Sequence, residues 1–177
     1  MKEGKCRFWL LDINYEVENH EPEVWLWGVD QNGKRVLIVH KGFHTYFYAI
    51  PKEGVEPEKA LKEIERSIGE MPHVLNIEIE DKKYFGRPVK AIKVVCKDPE
   101  LVQKYAKKIE KLPSIRQCLE DDIRYSMRYM IDFGIEPCGW HEVEIRETDK
   151  VKAQVDAVYE ALSPPKLLNL TKKPKLK

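Results

Sequence analysis

The first fifty residues hold short apolar runs of strand length, separated by polar stretches. Phe8 to Val17, Glu23 to Val29, Arg35 to His40 and Tyr46 to Ile50 are rich in aromatic and β-branched residues and read as strands. Gln31-Asn32-Gly33-Lys34 supplies a turn. Asn-Gly suits the two positive φ values of a type I′ turn, so the second and third of these strands are expected as an antiparallel hairpin.

Helical spacing follows. Pro57 opens a helix with Ala60, Leu61, Ile64 and Ile68 at helical spacing and Gly69 as its stop. Val74 to Asp81 and Val89 to Cys96 follow as strands, joined through Tyr84-Phe85-Gly86-Arg87-Pro88. Asp98 as N-cap and Pro99 at the first position begin a second helix, which carries Leu101, Val102, Tyr105, Ala106 and Ile109 to its end near Pro113. Ile115 to Leu119 reads as a short strand. Residues 46–119 therefore spell strand, helix, strand, strand, helix, strand, the order of a split βαβ or ferredoxin-like unit, shared with RNA-recognition domains. The fold class is α+β: an antiparallel, β-rich N-terminal part with this unit embedded in it.

A third helix is expected over Ile123 to Phe133, capped by Asp121-Asp122 and ended by Gly134. It places Ile123, Met127, Met130 and Ile131 on one face and Tyr125, Arg128 and Asp132 on the other. Cys138 to Arg146 reads as a strand. Val151 to Leu162 fits either period, and the reading favoured is a hairpin through Glu147 to Lys150. One domain over residues 1–162 is expected, with 46–119 as its ferredoxin-like subdomain. From Ser163-Pro164-Pro165 the apolar pattern fades and Lys166, Lys172, Lys173, Lys175 and Lys177 appear with no acid, so 163–177 reads as a basic linker or tail.

Composition narrows the classes. With 34% charged and 42% hydrophobic residues over 177 positions, the chain is a folded domain with a densely charged surface. A net charge of +1 excludes a histone-like polycation, so any nucleic-acid contact must come from local arrangement. No window approaches the roughly 18 apolar residues of a membrane span, and Arg7 and Asp12 interrupt the N-terminal stretch, so no membrane partner and a cytoplasmic location are expected. Cys6, Cys96, Cys118 and Cys138 lie 90, 22 and 20 positions apart, with no close pair of the kind zinc ribbons and redox motifs need. Reduced, mostly buried thiols are expected, and no metal site.

No phosphate-binding glycine loop, dinucleotide fingerprint or nucleophile elbow is present. Glu120, Asp121 and Asp122 resemble a two-metal carboxylate cluster only superficially, because their place at a helix start gives them a capping role.

Four segments in order carry a resemblance: Leu11-Asp12-Ile13-Asn14-Tyr15, Phe43-His44-Thr45-Tyr46-Phe47-Tyr48-Ala49, Phe85-Gly86-Arg87-Pro88, and Asp121 through Asp132. Together they resemble the N-terminal domain of archaeal family B DNA polymerases over about residues 8–146. The resemblance implies a non-catalytic portion of a DNA-directed DNA polymerase, a nucleotidyltransferase used in DNA replication. The exonuclease motif and the polymerase carboxylates lie outside the chain, so no enzyme activity is expected of it alone. It implies no cofactor here, with Mg serving the parent enzyme. The implied partners are single-stranded template DNA and the remainder of the polymerase, its exonuclease and palm domains, toward which 163–177 would lead.

The resemblance also implies a pocket that captures template uracil and stalls synthesis before a deaminated cytosine is copied. Its positions fall on Tyr15, Thr45, Tyr46, Pro99, Val102, Tyr125 and Arg128. Thr45 stands where the family usually has proline, and Tyr125 where it usually has phenylalanine. The physics is general: a flipped uracil offers an acceptor, donor, acceptor edge to fixed backbone groups, and an aromatic ring stacks on its face. Thymine adds one methyl, and overpacking a rigid wall with it costs roughly 1 to 3 kcal/mol. Two other readings compete. Lys41 through Tyr48 loosely resembles an RNP1 octamer, as in a stand-alone RRM-like module for RNA or single-stranded DNA. A purely structural polymerase scaffold would show no preference among bases.

Overall fold

The computed structural model describes residues 2–175. Its strands are β1 (Glu3–Glu18), β2 (Glu21–Asp30), β3 (Arg35–Lys41), β4 (Thr45–Pro51), β5 (Val74–Tyr84), β6 (Arg87–Cys96), β7 (Ile115–Leu119), β8 (Trp140–Glu147), β9 (Ala157–Ala161) and β10 (Lys166–Leu167). The α-helices are α1 (Pro57–Ser67), α2 (Val102–Glu110) and α3 (Tyr125–Phe133). The chain divides into two compact units. A barrel unit takes the residues up to Glu18, Pro22–Phe43 and those from Tyr125 onward; an inserted unit takes Asn19–Glu21 and His44–Arg124.

In the barrel unit the strands run β1-β2-β3-β9-β8, and β8 returns to pair with β1 from Glu3↔Arg146 to Trp9↔Trp140, which closes the sheet. The pairing of β3 with β9 is parallel, while β2–β3, β8–β9 and β1–β8 are antiparallel. This is the arrangement of a five-stranded OB-type barrel. Period-two alternation sends Val24 and Leu26 inward, with Phe8, Leu10, Val36, Ile38 and Val143, and leaves Trp25 and Trp27 half-buried. A Cβ on Gly28 would lie 2.5 Å from the Trp9 carbonyl oxygen, so β1 and β2 approach this closely only with glycine there. His141 is fully buried against Phe8; its Nδ1 donates to the Gly139 carbonyl and its Nε2 accepts the Glu136 N–H. Burial lowers its pKa, so the ring is held neutral.

In the inserted unit the strand order is β5-β6-β4-β7, each pair antiparallel, with α1 between β4 and β5 and α2 between β6 and β7. Phe47, Ala49, Ile92 and Val94 on one face pack with Ala60 and Ile64 of α1 and Val102, Tyr105 and Ile109 of α2. Asp98 caps a single 3-10 turn, Pro99–Leu101, that leads into α2; its carboxylate accepts the Glu100 N–H at 2.9 Å and meets His20 Nδ1 at 2.6 Å.

Several expectations are corrected. At Gln31–Lys34 only Gly33 has positive φ, because the Asp30 carboxylate accepts the N–H groups of Asn32 and Lys34 and builds a longer, side-chain-capped turn. Helix α3 starts at Tyr125, two residues later than expected, with no acid in its first turn; Asp121 and Asp122 belong to the loop after β7 and do not cap it. Its buried face is Tyr125, Ser126, Arg128 and Tyr129, while Met127 and Ile131 are 50% and 59% exposed. The hairpin expected after β8 forms, with β9 antiparallel to it, but its loop is longer and the return begins at Ala157 rather than Val151. Within 163–177, Lys166–Leu167 forms β10 on β8 and the Leu168 N–H donates to the Trp140 carbonyl. Three cysteines are buried and Cys138 is exposed, all four free; burial pushes the Cys6 and Cys96 thiols up to about 12, which keeps them protonated.

Candidate nucleic-acid interface

The seven expected site residues divide between the units. Tyr15, Tyr125 and Arg128 lie in the barrel unit, and Thr45, Tyr46, Pro99 and Val102 in the inserted unit. Within the barrel unit Tyr15 and Tyr125 come together, their rings 5.1 Å apart and edge to face at 65°. Tyr125 is 2% exposed and Tyr15 half-buried, so one ring forms a backing and the other an accessible surface.

The hydroxyl that distinguishes Tyr125 from phenylalanine donates to the Phe43 carbonyl at 2.6 Å. Burial pushes that phenol's pKa up, so it stays a donor. Phe43 itself packs on Tyr125 and Tyr129 at 5.4 and 5.3 Å. Tyr129, fully buried, packs edge to face on Phe133 and shares a 2.6 Å hydrogen bond with His40 Nδ1. Burial lowers the pKa of His40, leaving a neutral imidazole against a neutral phenol. Phe43, Tyr129, His40 and Phe133 thus support the site, and none was selected as a site residue from sequence. Phe43 works through its main-chain carbonyl, which no side-chain pattern reveals. Arg128, one turn beyond Tyr125, is 4% exposed on the same buried helix face.

In the inserted unit Thr45 opens β4 opposite Cys96 and is buried, and Val102 belongs to the helix-covered core. Pro99 is half-buried at the first position of its 3-10 turn. Tyr46 and Tyr48 lie on the sheet face away from the helices, their rings 5.8 Å apart. The ammonium of Lys93 sits 4.2 Å over Tyr46 and that of Lys82 4.8 Å over Tyr48. Those ring faces already carry cations. The octamer Lys41 through Tyr48 does not occupy one strand either: Lys41 ends β3 and Thr45 begins β4, so RNP1-type display is lost. Among the described residues no cluster of His, Cys, Asp and Glu has metal-site geometry, and no helix is long and apolar enough to cross a membrane.

No family model matches the chain. Among curated proteins it is 34% identical over 140 residues to DNA polymerase 2 of Aeropyrum pernix, and equally so to DNA polymerase 3 of Saccharolobus solfataricus. Both matches take 79% of this chain and 17% and 18% of the relatives. Among solved structures, the family B DNA polymerase of the hyperthermophilic archaeon Pyrobaculum calidifontis superposes with a TM-score of 0.77 at 36% identity, over 96% of this chain and 21% of that one. The chain belongs with the archaeal family B DNA polymerases. It corresponds to their N-terminal region and spans about a fifth of their length. The Tyr15–Tyr125 pair and its Phe43 anchor therefore lie in a chain related to one region of these polymerases.

Proposed function

We propose that this polymerase component contacts single-stranded template DNA and reads it for uracil, with Tyr15, Tyr125 and Arg128 as the residues on which the reading rests. The observation that carries it is the half-buried Tyr15 ring braced edge to face by Tyr125, itself fixed at both ring and hydroxyl. A base laid on Tyr15 meets a wall that cannot retreat, because Tyr125 is packed on Phe43 and bonded to its carbonyl. A rigid wall is what separates uracil from thymine, where one methyl is the entire difference. Arg128, enclosed on the helix face, suits holding the surrounding main chain in place more than meeting a solvated phosphate.

The rest of a polymerase completes this reading: exonuclease and palm domains as partners, Mg as the metal of catalysis, and stalled synthesis as the consequence of capture. Titrating the chain by fluorescence anisotropy at low salt against matched strands bearing one uracil, hypoxanthine, thymine or cytosine tests it. Tighter binding of the uracil strand, lost in Tyr125→Ala and Arg128→Ala variants that retain native circular dichroism, is the expected result. Equal binding of uracil and thymine strands by the native chain overturns the reading and leaves a scaffold role.

A further inference from the structure

The hairpin joining β5 and β6 turns through Phe85 and Gly86, between the paired residues Tyr84 and Arg87. Both turn residues have positive φ, 49° and 76°. Glycine, asparagine and aspartate suit this conformation, and for a bulky aromatic it is a genuine outlier. The β1–β2 turn, Asn19-His20, takes the same left-handed geometry and opens on the expected asparagine. Phe85 is also 89% exposed, the most open of the large hydrophobics. A residue strained in backbone and left in water is kept neither by turn preference nor by burial, and such outliers point to function.

Its surroundings give the ligand's chemistry. The Tyr84 ring stands 4.6 Å from Phe85, edge to face. Tyr84 is braced by Gln117, whose Nε2 donates to its hydroxyl, and by the Arg116 guanidinium 5.8 Å from its ring centre. Around the tip Lys82 pairs with Glu80 at 3.0 Å and Lys90 with Asp81 at 2.7 Å. Lys83, Arg87 and Arg116 stand outside any such ion pair among the described residues, a local excess of positive charge in a nearly neutral chain. Exposed aromatic faces flanked by unneutralised cations match the stacking bases and phosphates of an unpaired strand.

We propose that the β5–β6 tip is a second, sequence-tolerant contact for single-stranded nucleic acid, in which a base stacks on Phe85 and the flanking phosphates meet Lys83 and Arg87. It rests on the reading of this component as a single-strand binder but not on uracil recognition. The test is anisotropy titration of the full chain with labelled oligothymidine and with the same strand carrying one uracil, over a range of salt. Phe85→Ala is expected to weaken both strands about tenfold, with binding restored by Phe85→Trp. The double variant Lys83→Ala/Arg87→Ala is expected to shallow the log–log salt slope by about 1.4, from roughly 0.7 per phosphate contact. The uracil-to-thymine ratio stays as in the native chain. A ratio of one with a Phe85-dependent affinity refutes uracil reading and leaves the tip contact standing. Unchanged affinity and slope in these variants, equal competition by duplex DNA, or no binding of either strand overturns the proposal.

Discussion

The barrel unit and the inserted unit both present tyrosine and phenylalanine, and they treat these residues in opposite ways. Around α3 the rings of Phe43, Tyr125, Tyr129 and Phe133 lie within 5.0 to 5.5 Å of a neighbour, and the Tyr125 and Tyr129 hydroxyls are bonded to Phe43 and His40. At the β5–β6 tip Phe85 touches one ring and faces water. The first cluster is explained by packing and gains a rigid surface as a by-product. The second has no packing explanation, and its chemistry has to be sought in what it binds. Aromatic content alone would have scored the two regions alike.

The comparison breaks most sharply at Tyr129. Tyr129→Ala removes a fully buried ring and should cost about 3 to 5 kcal/mol in denaturant unfolding, as large-to-small changes of buried aromatics do. Phe85→Ala, by contrast, should stay within about 0.5 kcal/mol of the native chain. Tyr125→Phe keeps the ring and loses the bond to Phe43, so about 1 kcal/mol of stability should go while the edge contact with Tyr15 remains. Unfolding midpoints that match the native chain would show that this hydroxyl fixes nothing.

A weaker lever is pH. His40 and His141 both have pKa values lowered by burial, so the unfolded chain binds more protons than the folded one below about pH 6.5. Stability is fully present above that pH and falls as the solution is acidified, and His40→Gln should flatten part of the slope. Midpoints measured at pH 7.5 and 5.5 check the sign. The smallest effect is a gain: Phe85→Asn relieves the left-handed strain and should stabilise by a few tenths of a kcal/mol while weakening single-strand binding as Phe85→Ala does.

Much of the fold was legible because it is local. The strand and helix order from Tyr46 to Leu119, Pro57 at a helix start and the Asp98 cap all follow from residues near in sequence. Barrel closure was not legible, since Glu3 pairs with Arg146 and Val36 with Ala157 across separations that leave no periodic trace. The two units were hidden for a related reason: the chain leaves the barrel at Phe43 and returns at Tyr125 with no linker composition at either point. On α3 hydropathy misleads, because the buried face is built from hydroxyls and a guanidinium while Met127 and Ile131 face out. Tyr15 and Tyr125 could be selected only through the family resemblance. Nothing in their spacing predicts a 5.1 Å contact.

In the proposed function one aromatic region distinguishes uracil from thymine and the other does not. Chemical-shift mapping of isotope-labelled aromatic side chains, with two strands differing only in the C5 methyl of one base, tests it most directly. Tyr15, Tyr125 and Phe43 signals are expected to move with the uracil strand alone, while Tyr84 and Phe85 signals move with both. Identical shifts of Tyr15 and Tyr125 with the two strands, or none with either, would contradict it.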